Sequence, residues 1–176
     1  MMTAQKNRGR RVVAAAALAM LTLGVTSCGA INEQATTYQY AASDGIVLNV
    51  GDLDVRNLML VTKSATDEAR VLGSLVNNTD KDESFELKLD TDSVTVKVPA
   101  KSVVEFEEDE NKTLLSSTGV APGAHVPATL TVGVNSASPS IPVIDGTLEE
   151  YREYVPGGFE PSDLAHLTPS PKPAGH

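Results

Sequence analysis

Between residues 46 and 147, apolar and polar positions alternate with the period of two expected of half-buried strands. Phe85, Leu87 and Leu89 alternate with Glu86 and Lys88, and Val94, Val96 and Val98 with Thr95 and Lys97. Asp90-Thr91-Asp92-Ser93 lies between the two runs and has a turn composition, so together they predict a hairpin. Residues 55–61 and 71–76 are nearly continuous apolar runs, the pattern of strands covered on both faces or at the centre of a sandwich. Val103, Val104 and Phe106 make a further short piece, and Val126, Ala128, Leu130, Val132 and Val134 predict one longer strand. Ile141, Val143 and Ile144 close the set, with Pro139 and Pro142 marking an edge strand. Turn clusters fall at 77–82, 109–112 and 135–140. About seven or eight short strands in about 100 residues predict an all-β fold, an antiparallel two-sheet sandwich of immunoglobulin-like size over 45–147. The Cys…Trp…Cys core of antibody domains is missing, since the chain has no Trp.

The flanks read differently. Lys6, Arg8, Arg10 and Arg11 precede an apolar stretch over 12–25, which is too short for a membrane-spanning helix of roughly 20 residues but suits a signal peptide. The stretch ends in Val25-Thr26-Ser27-Cys28, a bacterial lipobox, so residues 1–27 are expected to be a lipoprotein signal and Cys28 the lipidation site. Two or three acyl chains, at about 0.8 kcal/mol per buried methylene, would anchor the chain stably to the outer face of the cytoplasmic membrane. Polar residues 28–44 read as a flexible tether, with a short added strand at 36–40 as the alternative. Residues 148–155 have the length of two helical turns, and 156–176, with five Pro and three Gly, read as a disordered tail.

Composition narrows the function. With four Tyr, three Phe and no Trp, the core must be built from Val, Leu, Ile and Ala. Against 23 acidic residues there are 14 basic ones, four of them in the signal, so the net charge of −9 becomes −13 after cleavage, which disfavours nucleic acid as a partner. A single cysteine rules out an internal disulfide and a Cys-based zinc or iron–sulfur site. No Gly-x-Ser-x-Gly elbow is present, and His125, His166 and His176 fall at a strand start and in the tail, so no catalytic set and no cofactor are expected. Met59, the one methionine after cleavage, sits in an apolar strand and reads as core; with His125 alone it makes no soft copper site. The pairs Asp52/Asp54, Asp80/Asp82 and Asp90/Asp92 lack the 12-residue calcium loop and read as solvated turns.

The densest feature is Glu105, Glu107, Glu108, Asp109 and Glu110, with Asp80, Asp82 and Glu83 as a second group. The first is either a solubilising loop or a patch that steers a basic partner on the cell surface. A topology that brings both groups to one end of the sandwich would make a single surface of them. The apolar edge at 139–144 is the other candidate contact.

The lipobox, the polar linker, Gly51-Asp52-Leu53-Asp54-Val55-Arg56-Asn57-Leu58, the run from Val71 to Asn78 and the Pro-rich tail resemble the LpqE-type lipoproteins of actinobacteria. More distantly, the strand sequence over 25–147 is similar to the PCu(A)C-type periplasmic copper chaperones. The second resemblance implies a cupredoxin-like or immunoglobulin-like sandwich. Those chaperones bind Cu(I) through two His and two Met, a set absent here, so copper binding does not carry over. The first resemblance implies a non-enzymatic accessory subunit or interaction module in the envelope, with the respiratory bcc–aa3 supercomplex as a partner. A metal or small-ligand carrier is the alternative function.

Overall fold

The structure, a computed structural model, describes residues 43–167. The expected signal, Cys28, most of the tether with its alternative strand and the end of the tail lie outside these residues.

A long hairpin organises the first sheet. Strands β1 (Ile46–Val50) and β2 (Leu53–Thr62) are followed by β3 (Ala69–Asn77), antiparallel to β2 from Leu53↔Asn77 to Thr62↔Ala69. Then come β4 (Glu83–Lys88), β5 (Ser93–Val98), β6 (Ser102–Glu105), β7 (Leu114–Leu115), β8 (His125–Pro127), β9 (Thr129–Val132), β10 (Asn135–Ala137) and β11 (Ser140–Ile144). One sheet runs β6-β3-β2-β11-β8, with β1 on the first half of β2 and β7 on the start of β3; the other runs β10-β9-β4-β5. Leu53, Val55, Leu58, Leu60, Val71 and Leu75 of the first sheet pack with Phe85, Leu87, Val98, Leu130 and Val132 of the second in one buried cluster. The predicted sandwich is therefore present, and β4–β5 is the predicted hairpin, Phe85 opposite Val96. One pairing breaks the antiparallel pattern, because β11 runs parallel to β2.

The inward set of β2 changes phase, from Leu53 and Val55 to Leu58 and Leu60. The extra residue is absorbed by a bulge between Arg56 and Met59, where Asn57 has φ +51°. Opposite it stands Gly73 at φ +109°, where a Cβ would lie 2.6 Å from the carbonyl oxygens of both Arg56 and Asn57, so only glycine fits. Past the bulge, Met59 and Val61 face outward beside their partners Leu72 and Arg70. A C-terminal strap covers this outer face: Val155 is buried on Met59, Val61 and Leu72, with Tyr151, Tyr154 and Phe159 packed around them. Coverage of both faces accounts for the nearly continuous apolar runs.

Several expectations are corrected. The run from Val126 to Val134 is two strands in different sheets, β8 on β11 and β9 on β4, with Ala128 at the corner where its N–H donates to the Pro139 carbonyl at 3.0 Å. Val134 is 99% exposed on the β9–β10 turn, and the supposed turn at 135–140 contains β10. β11 is an inner strand rather than an edge, because its ladder to β2 begins at Val143, beyond the missing N–H of Pro142. The expected helix at 148–155 is a 3-10 helix, Glu149–Tyr154. Residues 156–167, expected within the disordered tail, include Phe159 over Gly146 and a 3-10 helix, Pro161–Leu167, tied by Asp163 to Lys63 at 3.4 Å. Composition counts the prolines there but not these contacts.

Candidate functional site

The acidic loop leaves the sheet at the end of β6. Buried Phe106 anchors it, and its N–H donates to the Gly73 carbonyl at 2.9 Å. Glu107 then turns inward, and its Oε1 accepts the Gly73 N–H at 2.9 Å. The chain closes into a short 3-10 turn, Asp109–Asn111, with Asn111 Nδ2 donating to the Glu105 carbonyl and to Glu108 Oε2 at 3.1 and 3.2 Å. Glu105, Glu108, Asp109 and Glu110 are left exposed, while Glu107 is half-buried and committed to the backbone. The ion pairs among the described residues join Arg56–Asp54, Lys63–Asp163, Lys97–Asp82 and Lys101–Asp80, and none uses a carboxylate of this loop.

The second acidic group lies elsewhere. Asn77 Nδ2 donates to the carbonyls of Lys81, Val98 and Pro99 at 2.7, 3.1 and 3.0 Å, which fastens the 77–82 loop to the end of β5. Asp82 accepts the Ala100 N–H at 3.0 Å and pairs with Lys97 at 2.8 Å; the Lys97 bond, then the Ala100 bond, hold its pKa below the usual carboxylate value. The four residues of β6, about 13 Å of strand, separate the two groups. They do not share one end of the sandwich.

Instead, the acidic loop meets the strap across a buried arginine that sequence reading missed. Arg70 is 5% exposed, and its Nη2 donates to the carbonyls of Phe106 and Glu107 at 3.3 and 2.8 Å. Its guanidinium lies over the Tyr154 ring, 5.0 Å from the centroid, and its Nε has no partner. Burial, the Glu153 hydrogen bond and the charges of Glu153 and Glu107 push the Tyr154 phenol up. Next to it, the Tyr151 hydroxyl donates to Asp44 Oδ2 at 2.5 Å.

Among the described residues no three His, Cys, Asp or Glu are grouped to hold a metal. Met59 is fully buried in the outer apolar cluster, and His125 is exposed at the start of β8. Asp54 and Asp80 are paired with Arg56 and Lys101, and Asp92 accepts the N–H groups of Ser93 and Ser116 at 2.7 Å. Asp80 and Asp92 lie in connections between strands, as expected, whereas Asp54 lies within β2.

No protein-family model matches the chain, and comparison with curated proteins finds no match. Among solved structures, the chain is similar to the apo PCuAC domain from PmoF1, at TM-score 0.45 and 14% identity over 57% of this chain and 99% of that domain. The copper-bound PCuAC domain from PmoF2 aligns at 0.43 and 14%, covering 57% and 98%, and the apo PmoF2 PCuAC domain at 0.45 and 12%, covering 58% and 98%.

Proposed function

We propose that this chain is a lipid-anchored, extracytoplasmic interaction module. Cys28 carries the acyl chains, and the sandwich catalyses no reaction but presents an acidic surface to a basic protein partner in the envelope. The observation behind this reading is the unmatched charge of Glu105, Glu108, Asp109 and Glu110, which stand exposed while Asp80 and Asp82 are paired with lysines. Unmatched like charges repel one another in the free protein, and a basic partner relieves that repulsion and is drawn in faster. In the finer form suggested by the LpqE-type resemblance, the chain is an accessory subunit of an envelope complex, the respiratory bcc–aa3 supercomplex.

Affinity purification of the full chain from detergent-solubilised membranes tests both forms. A defined envelope complex should co-purify with the wild type and be lost when Glu105, Glu108, Asp109 and Glu110 are neutralised together. Recovery of no partner removes the module reading, and recovery of a complex without respiratory subunits removes the finer one. Cys28→Ala should release the chain from the membrane fraction, and wild-type protein without lipid by mass spectrometry would refute the anchor. The carrier alternative has no donor set among the described residues. A stoichiometric, sub-micromolar Cu(I) site in a competition assay would put it in first place.

A further inference from the structure

The acidic loop and the strap share one cation. Arg70 stands on β3 between Val61 of β2 and Leu114 of β7. It is 5% exposed, with Nη2 bonded to the Phe106 and Glu107 carbonyls, while its Nε is buried and has no acceptor. A charged donor left in that state costs free energy that a carboxylate would restore. Carboxylates are close by: Glu105 and Glu108 flank the two peptide units that Arg70 touches, stand exposed, and enter none of the ion pairs among the described residues. Lys112, exposed at the end of the 3-10 turn, pairs with neither.

Loop and strap are fastened separately. The loop is bonded to β3 through both the carbonyl and the N–H of Gly73, each at 2.9 Å. The backbone bonds of the strap close on itself among the described residues, from Tyr151 to Leu148, Val155 to Arg152 and Gly158 to Val155. Side chains hold it to the sandwich: Val155 in its apolar bed, Tyr151 on Asp44, and the Tyr154 ring 5.0 Å from the Arg70 guanidinium. A segment held in this way opens at less cost than the strands beneath it.

We propose that Arg70 is an internal competitor for the acidic loop, kept out of it by the strap. With Tyr154 seated, the guanidinium stays against the backbone carbonyls, and Glu105 and Glu108 remain open to a basic partner. With Tyr154 withdrawn, Arg70 turns outward and takes one of these carboxylates in a charge-assisted pair, which removes charge from the loop. The strap thus regulates the surface of the module reading above, and the proposal rests on that reading.

The test titrates the isotopically labelled full chain, in detergent, with a capped tetralysine peptide. Amide shifts at 105–110 should saturate in the wild type. Tyr154→Ala should weaken binding about threefold to fivefold, in the range of an exposed ion pair, with the β4 and β5 signals unchanged as the check on the fold. Adding Arg70→Gln to Tyr154→Ala should restore at least the wild-type affinity, whereas a loop merely disordered by loss of the strap would stay weak in both variants. The Arg70 Nε–H signal gives a second reading with the arginine in place. In Tyr154→Ala it should take the low-field position of a carboxylate-bonded N–H, and lose it when Glu105 and Glu108 are both replaced by Gln. If the double variant does not fold, this reading decides alone. Unaltered affinity in Tyr154→Ala, a folded double variant that is not rescued, or an Nε–H signal indifferent to Glu105 and Glu108 would refute the competitor and leave the module standing. Absence of saturable shifts at 105–110 in the wild type would overturn both.

Discussion

Glu107 Oε1 accepts the backbone N–H of Gly73 at 2.9 Å and so ties the acidic loop to the β2–β3 bulge. One of the five acids is therefore a structural brace. Glu107→Ala should cost about 1–3 kcal/mol, since it strands the Gly73 donor. Glu108→Gln, at an exposed position, should stay within about 0.5 kcal/mol. Urea unfolding of both variants checks the difference, and equal midpoints would refute the brace.

Gly73→Ala should be among the most damaging single-methyl changes in the domain. It forces an L residue to φ +109° and places a Cβ 2.6 Å from two backbone carbonyl oxygens that cannot move without opening the bulge. A loss of about 3 kcal/mol or more is expected. Gly133→Ala is the control: it has φ +57° but open space, so only the strain of about 1–2 kcal/mol applies. Thermal melts should rank the two in that order.

At high pH the strap should loosen before the sandwich unfolds. The Tyr151 pKa is raised in the folded state from 10.0 to about 12, so the folded protein holds a proton that the unfolded chain gives up. This contribution is fully present below pH 10 and is lost as pH rises from 10 through 12. Tyr151→Phe should reduce the late phenolate absorbance step, leaving the share of Tyr154, whose phenol is also raised, and should flatten the alkaline stability profile. An unaltered titration would refute the assignment. At the acid end the sign reverses: bonds from Ser116 and Ser93 lower the Asp92 pKa, so its contribution is lost as pH falls below 3.8.

Neutralising Glu105, Glu108, Asp109 and Glu110 together should slow association with the partner at low ionic strength. The effect should nearly vanish at high salt, because screening at 0.15 M acts over about 8 Å. Stopped-flow association rates across a salt series test this. A salt-independent difference would mean that the loop acts by shape or local contact.

The parts of the fold legible in sequence are those where local pattern and burial coincide. Phe85 and Leu87 stand opposite Val96 and Val94, a pairing that follows from period two, whereas the register is set by the turn, in which the Leu89 N–H donates to the Asp92 carbonyl at 2.8 Å and Val98 comes to lie opposite Glu83. The run from Val126 to Val134 has an equally regular period but crosses between sheets at Ala128, a change that leaves the alternation intact. Glu107 resembles its exposed neighbours in sequence, and only the bulge opposite Gly73 separates it from them. Arg70 shows no local mark of its burial, because the carbonyls and the aromatic ring that hold it belong to residues 106, 107 and 154.

β11 lies alongside β2 in the same direction, with Val143 beside Leu60 and Ile144 beside Val61. No tight turn can join parallel neighbours, and here the connection takes in every strand from β3 to β10. The consequence is one of timing. During synthesis the last part of β2 stays an open edge until residues 140–144 have emerged, and such distant pairings form slowly. A chain cut or stalled before Ser140 would expose that edge as a template for a second copy, a route to aggregation that the finished protein closes with a single strand. The same step brings the strap to its bed on Met59 and Leu72. Completion of the first sheet and seating of the strap are thus one event.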